Sequence, residues 1–201
     1  MYERYGKRLL DIILSLAATI ILAIPMGLVA LWIKLDSPGP VFFKQRRVGK
    51  GKTHFNILKF RTMRGDTPHD VPTHLLKDAD SYITGSGAFL RKTSLDEFPQ
   101  FLNVLKGDMS VVGPRPDLKR ETELYEGNEG DKLLVKPGIT GYSAVKVRNS
   151  APWHERLKLD VWYVHNVTFA LDVKVFFATF GAVFGQKGIY VEEGSEGEQS
   201  V

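Results

Sequence analysis

The sequence predicts an α+β fold, mostly helical with a small sheet built on a hairpin, preceded by a proline-broken membrane helix that re-enters one leaflet. Three observations carry this. Residues Ile12 to Ile33 hold no charged side chain. Two short apolar-rich runs, Val41-Phe42-Phe43 and His54 to Phe60, flank a basic turn from Arg46 to Lys52. Apolar residues then recur at helical spacing in Gly87 to Leu105, Trp153 to Val164 and Leu171 to Phe184.

As a helix, the first run of roughly 22 residues reaches about 33 Å, enough to cross a bilayer core. It exceeds the roughly 7–15 apolar residues of a cleaved signal peptide, so an uncleaved membrane segment is expected. Pro25 lacks an amide donor and crowds the preceding turn, which predicts a kink. Both flanks are positive: Arg4, Lys7 and Arg8 before the run; Lys34, Lys44, Arg46, Arg47, Lys50 and Lys52 after it. The positive-inside rule puts both ends in the cytoplasm. A helix broken at Pro25 that dips into one leaflet and returns satisfies both observations; proline kinks are also common in spanning helices, so these features leave both readings open. The expected organisation is a re-entrant membrane helix over 1–36, a cytoplasmic-face domain with interfacial helices over 37–190, and a disordered acidic tail over 191–201.

At 201 residues, 43% hydrophobic and 25% charged, the chain suffices for one compact domain plus an appendage. A net charge of +4 fits a phosphate ligand, nucleic acid or acidic lipid without choosing among them. The absence of cysteine excludes a disulfide framework and thiolate metal sites.

Ser37-Pro38-Gly39-Pro40 stops the first helix. Gly51-Lys52-Thr53 resembles the end of a P-loop, but Arg46 stands where the motif needs glycine, and a hairpin replaces its strand-to-helix setting. The basic turn reads instead as a contact for lipid headgroups or substrate phosphate. Arg64 to Ser86 reads as a long polar loop, and its His69 and His74, without a third ligand nearby, as solvated. Gly87 to Leu105 is helical with an interruption near Thr93. Pro137 to Gly141 is a turn-rich loop, and Ser143 to Val147 is expected as a strand. Ser150 and Pro152 open a helix whose stripe of Trp153, Leu157, Val161 and Val164 belongs to the core. Leu171 to Phe184 is too short to span; it lies at an interface or is buried.

Chemistry gathers between Arg91 and Pro116. Asp96 and Glu97 follow Ser94 in a pattern that fits a capping box, with the helix dipole favouring acids there. The competing reading is phosphoryl chemistry, in which carboxylates attack phosphorus or bind a metal beside phosphate-holding cations. Neighbouring helical residues point about 100° apart, so divided labour is expected: one attacks, the other holds a metal. Arg115, between Pro114 and Pro116, loses little backbone entropy in aiming at phosphate.

These residues resemble the bacterial sugar transferases, the small monotopic phosphoglycosyl transferases, over nearly all of residues 2–188. The matching blocks are the broken segment with Pro25, Ser37 to Gln45, Lys59 to Met63, Ser94 to Glu97, Asn103 to Ser110, Gly113 to Pro116 and Pro137 to Gly141. The resemblance implies transfer of a phosphosugar from a UDP-sugar to a polyprenol phosphate, usually undecaprenyl phosphate, with release of UMP. It implies that Asp96 is the nucleophile of a covalent intermediate and that Glu97 binds Mg²⁺. Lys59, Arg61, Arg91, Arg115 and Arg148 are then phosphate holders, and Asp160 matches a recurring acidic position. The implied location is the bacterial inner membrane, with the catalytic domain on its cytoplasmic face. The implied partners are donor, lipid acceptor, bilayer and downstream glycosyltransferases of exopolysaccharide assembly, with no nucleic acid. Ala144, Val147 and Phe98 depart from the family pattern, which bears on sugar or nucleotide selectivity rather than on the acidic pair. The rival functions are a non-catalytic membrane adaptor and a phosphate-ester hydrolase.

Overall fold

The computed structural model describes residues 2–67, 78–147 and 151–184. His69, His74, Arg148, Ser150 and the acidic tail lie outside the described residues. Helices α1 (Lys7–Ile21) and α2 (Ala23–Asp36) meet at a 60° bend. The break falls at Leu22 rather than at Pro25, because Pro25 cannot donate to the carbonyl of Ile21 and is tolerated in the first turn of a new helix. Among the described residues no single helix is long and apolar enough to cross a membrane. The bend is strongly apolar on its outside, with Ile20, Ile21, Ile24 and Leu28 largely exposed.

Both ends of this bent pair are fastened to the same folded body. Arg8 donates to the carbonyls of Val104 and Leu105, at 2.6 and 2.8 Å, closing the end of helix α4 described below. Asp11, buried, accepts from the Ser110 hydroxyl and the Val111 amide. Lys7 pairs with Asp172 at 2.5 Å. At the far end Ile33 packs with Phe60 and Leu90. Lys7 and Arg8, which the sequence offers as flanking charges, therefore serve as internal ties.

The hairpin forms as expected, with β1 (Phe42–Val48) antiparallel to β2 (His54–Phe60) and Phe42 opposite Phe60. Strand β1 runs on through Arg46 and Arg47, and the turn tightens to Lys50–Lys52, where Gly51 takes a φ of 63°. Helix α3 (Gly85–Thr93) starts at Thr84, whose hydroxyl accepts from the Gly87 amide. After a short turn come α4 (Gln100–Lys106), β3 (Ser110–Val112) and α5 (Lys119–Thr122).

Strand β4 (Gly138–Thr140) pairs in parallel with β3. The strand expected over Ser143–Val147 is instead helix α6 (Tyr142–Lys146). Tyr142 and Val145, three apart, both pack on the core, which is helical spacing rather than alternation. Helix α7 (Trp153–His165) buries Leu157, Val161 and Val164 as expected. Trp153 lies at the margin of this stripe against Tyr125. Helix α8 (Phe169–Phe184) divides the two readings offered for it: Asp172 and Val175 are buried, while Phe169, Phe177 and Phe180 are exposed. The main core gathers Phe55, Ile57, Val104, Met109, Val112 and Tyr163.

Candidate active site

The acidic pair sits on a single 3-10 turn, Leu95–Glu97, wedged between α3 and α4. Ser94 stands in the left-handed region at φ 58° and makes no side-chain cap, so the capping-box reading fails. Its amide donates to the Arg91 carbonyl and closes α3 instead of opening α4. A serine in that conformation is uncommon and is held by its surroundings. The acids are thereby released from helix-capping duty.

Strand β2 supplies their common partner. Lys59 Nζ lies 2.6 Å from Glu97 Oε1 and 3.9 Å from Asp96 Oδ2. The two carboxylates thus converge on one ammonium, more closely than the helical angle between neighbours suggests. Arg115 reaches Glu97 Oε1 at 3.7 Å with a side chain still 60% exposed. Burial raises the Asp96 carboxyl above its usual range, and the Glu97 charge adds to this, with Lys59 and Arg91 opposing. Burial also pushes Glu97 upward, but Lys59 and Arg115 outweigh it and bring that carboxyl down to about 2. Neighbouring acids driven in opposite directions are a mark of divided acid roles.

Beside the pair lies a small cleft. Arg47, Lys59, Arg115, Glu97 and Gln100 form its polar wall; Ile57, Pro116 and Ile139 form its apolar wall. Three cations against one lining carboxylate make the cleft receptive to an anion. Asp96 does not line the cleft itself but lies one lysine away from it.

Arg115 is presented by a backbone with no freedom to drift. A Cβ on Gly113 would meet the Lys136 carbonyl at 2.6 Å, and one on Gly138 would meet the Gly113 amide at 2.2 Å. Glycine at both positions lets the two chain segments touch and lets the Gly138 amide bond the Pro114 carbonyl at 2.9 Å. Arg47 then holds the Pro116 carbonyl at 3.1 Å.

The other expected residues are distributed unevenly. Arg91 donates from Nε to the Thr62 hydroxyl and acts on Asp96 through its charge. Arg61 is buried away from the cleft and donates to the Ser37 and Pro38 carbonyls at 2.7 and 2.6 Å, sealing the end of α2. This placement makes it a tie for α2, because β2 ends at Phe60 and the alternation that would align it with Lys59 stops there. Asp160 is buried against Lys132 and Ser143, outside the cleft lining. Arg47, part of the basic turn that the sequence offers to lipid headgroups or substrate phosphate, lines the cleft, as does Gln100, which the sequence did not single out. Arg47 carried a signal, since it faces inward where Lys44 and Arg46 of the same strand face out; Gln100 carried none.

Among the described residues no group of three or more His, Cys, Asp or Glu side chains gathers. The donor set suits a hard divalent cation that takes one or two carboxylates and fills its shell from phosphate and water, as Mg²⁺ does. Glu97, ionised throughout the neutral range, is the fitting ligand.

A cationic cleft beside two differentiated carboxylates suits an anionic ligand such as a phosphate ester. The chain belongs to the bacterial sugar transferase family, whose sequence model matches residues 2–186. It is 42% identical over 187 residues to "Uncharacterized sugar transferase EpsL" of Bacillus subtilis, covering 91% of this chain and 89% of that one. It is 40% identical over 197 residues to the UDP-glucose:undecaprenyl-phosphate glucose-1-phosphate transferase of Xanthomonas campestris pv. campestris, covering 94% and 41%. To the undecaprenyl-phosphate galactose phosphotransferase of Salmonella typhimurium it is 38% identical over 203 residues, covering 94% and 42%. The chain thus spans about two-fifths of these longer relatives and most of the shorter one.

Proposed function

We propose that the protein is a phosphoglycosyl transferase that moves a sugar 1-phosphate from a UDP-sugar to undecaprenyl phosphate. The observation that carries this is the Asp96–Glu97 pair, converging under Lys59 with carboxyls driven apart, at the edge of a cationic cleft. The names of the Xanthomonas and Salmonella relatives supply the substrate class. The failure of the helix cap removes the structural reason for the pair on which the adaptor reading depended.

Asp96 Oδ attacks the phosphorus that bears the sugar. The bond from that phosphorus to the bridging oxygen breaks, and UMP departs with the electron pair. An aspartyl phosphosugar remains. A phosphate oxygen of the lipid then attacks the same phosphorus and returns Asp96 as a carboxylate, giving the lipid diphosphate sugar. A carboxylate needs no base to become a nucleophile at neutral pH, and the raised affinity of Asp96 for a proton goes with greater nucleophilic strength. Lys59, Arg115 and Arg47 neutralise the diphosphate in the cleft. Mg²⁺, held through Glu97, supplies further neutralisation of the diphosphate when bound.

The bent pair supports re-entry. Arms of about 22 Å with a 60° bend put the apex about 11 Å from the line joining their far ends, within a single leaflet. That both far ends are tied to the same domain supports one face of the membrane for both, and the basic flanks favour the cytoplasmic face of the bacterial inner membrane. Exposed Phe169, Phe177 and Phe180 on α8 suit the interface beside it. Single cysteines introduced near residue 5 and near residue 45 should label from the same side; labelling from opposite sides would make the segment a span.

The test of activity is UMP release from a pool of UDP-sugars with undecaprenyl phosphate and Mg²⁺. Asp96→Asn should lower it by about 10³-fold or more, while the protein remains folded and membrane-bound. Turnover near wild type in that variant would contradict the assignment, and sugar phosphate release without lipid would make the protein a hydrolase.

A further inference from the structure

A second polar cluster lies behind the cleft and takes no part in the reaction above. Buried Lys132, on the 3-10 turn Glu129–Leu134, bridges Asp117 Oδ2 at 2.7 Å and Asp160 Oδ2 at 3.0 Å. Asp117 also accepts from the Tyr125 hydroxyl, and Asp160 from the Ser143 hydroxyl, both at 2.5 Å. Removing such a set from water offsets much of its Coulomb gain, and apolar residues of similar size stabilise as well or better. What it adds is a defined geometry.

The object of that geometry is the segment that carries Arg115. The Pro114 carbonyl is held by Gly138, the Pro116 carbonyl by Arg47 and the Asp117 carbonyl by Val48. The Asp117 side chain is held by Lys132 and Tyr125. A small pocket, lined by Val48, Pro114, Asp117, Lys132, Leu133 and Pro137, lies against the same segment. Pro114, Pro116 and Asp117 are buried, so the segment is fixed by packing and by these polar ties together, and only Arg115 projects outward.

We propose that Lys132 is a positioning residue for Arg115: by tying Asp117 to Asp160 it sets the Pro114–Asp117 segment so that the guanidinium meets Glu97 and the donor diphosphate. Asp160 becomes the second anchor of this tie rather than a holder of substrate. The proposal rests on the reading of Arg115 as a phosphate holder, and its test separates the two.

The experiment is a double-mutant cycle on UMP release by the full chain in nanodiscs, with Lys132→Met, Arg115→Ala and the two combined. Each single change should cost about tenfold or more, and the pair should lie within about threefold of Arg115→Ala alone. A purely structural role for Lys132 would not produce this, because its loss would multiply with that of Arg115. Lys132→Arg should recover several-fold over Lys132→Met, since an arginine fork also bridges two carboxylates. Where Lys132→Met does not fold, Tyr125→Phe replaces it in the cycle with an expected loss of about threefold. Multiplying losses with an impaired Arg115→Ala would overturn the positioning role alone. Arg115→Ala at wild-type turnover would overturn the phosphate-holding reading and the proposal with it.

Discussion

The molecule contains the same triad twice, a lysine between two carboxylates, and uses it for opposite ends. At the cleft, Lys59 stands between Asp96 and Glu97 with side chains 19%, 14% and 23% exposed. In the interior, Lys132 stands between Asp117 and Asp160 with side chains 5%, 9% and 4% exposed. The inner lysine is shared almost evenly, at 2.7 and 3.0 Å, whereas Lys59 favours Glu97 at 2.6 Å and leaves Asp96 at 3.9 Å. Tyr125 and Ser143 complete the inner carboxylates, while Arg115, still mostly exposed, completes the outer one. Composition does not decide which triad is reactive. Under the proposed function, the unevenly held carboxylate, Asp96, is the one left available for chemistry.

Exchanging each lysine for methionine is the largest test of that contrast. Lys132→Met leaves two buried carboxylates facing each other and should destabilise by about 3–5 kcal/mol. Lys59→Met, at the less deeply buried site, should destabilise less than Lys132→Met but cost about tenfold or more of turnover. Denaturant unfolding beside the UMP assay measures both. Equal stability losses for the two lysines would break the comparison.

The two outer acids give a smaller contrast of sign. Glu97 is lowered to about 2, so its stabilising contribution is full above its unfolded value near 4.5 and is lost as pH falls through about 2. Glu97→Gln should therefore melt below wild type at pH 7 and converge with it in strong acid. Asp96 is raised, so its contribution is present below the unfolded value and is lost as pH rises through the folded one. Asp96→Asn should consequently melt above wild type at pH 7. Thermal scans across pH check both, and shifts of the same sign at pH 7 would contradict the assignment of opposite environments.

Local features were the legible ones. Pro25 announced the bend, though its missing amide moved the break to Leu22, and the period of α7 named its buried stripe correctly. The acidic pair and Arg115 stood out by residue type and neighbourhood and Lys59 through the family resemblance, and the structure brings the four together. Helix α6 was misread because five residues carry too little pattern to separate alternation from a single turn. Arg61 was grouped with Lys59 through the shared block Lys59 to Met63, and the end of β2 at Phe60 separates them. Lys132 carried no sequence signal at all. Its partners lie 15 and 28 positions away, and their meeting is a product of how α7 and the Arg115 segment pack.

The most direct test is to incubate the purified protein with UDP-sugar and Mg²⁺ in the absence of lipid, then map any adduct by mass spectrometry of rapidly quenched peptides. A sugar phosphate on Asp96, discharged when undecaprenyl phosphate is added, is the predicted result. An adduct on another residue, or lipid-linked product formed with no adduct on Asp96 at any time, would contradict it.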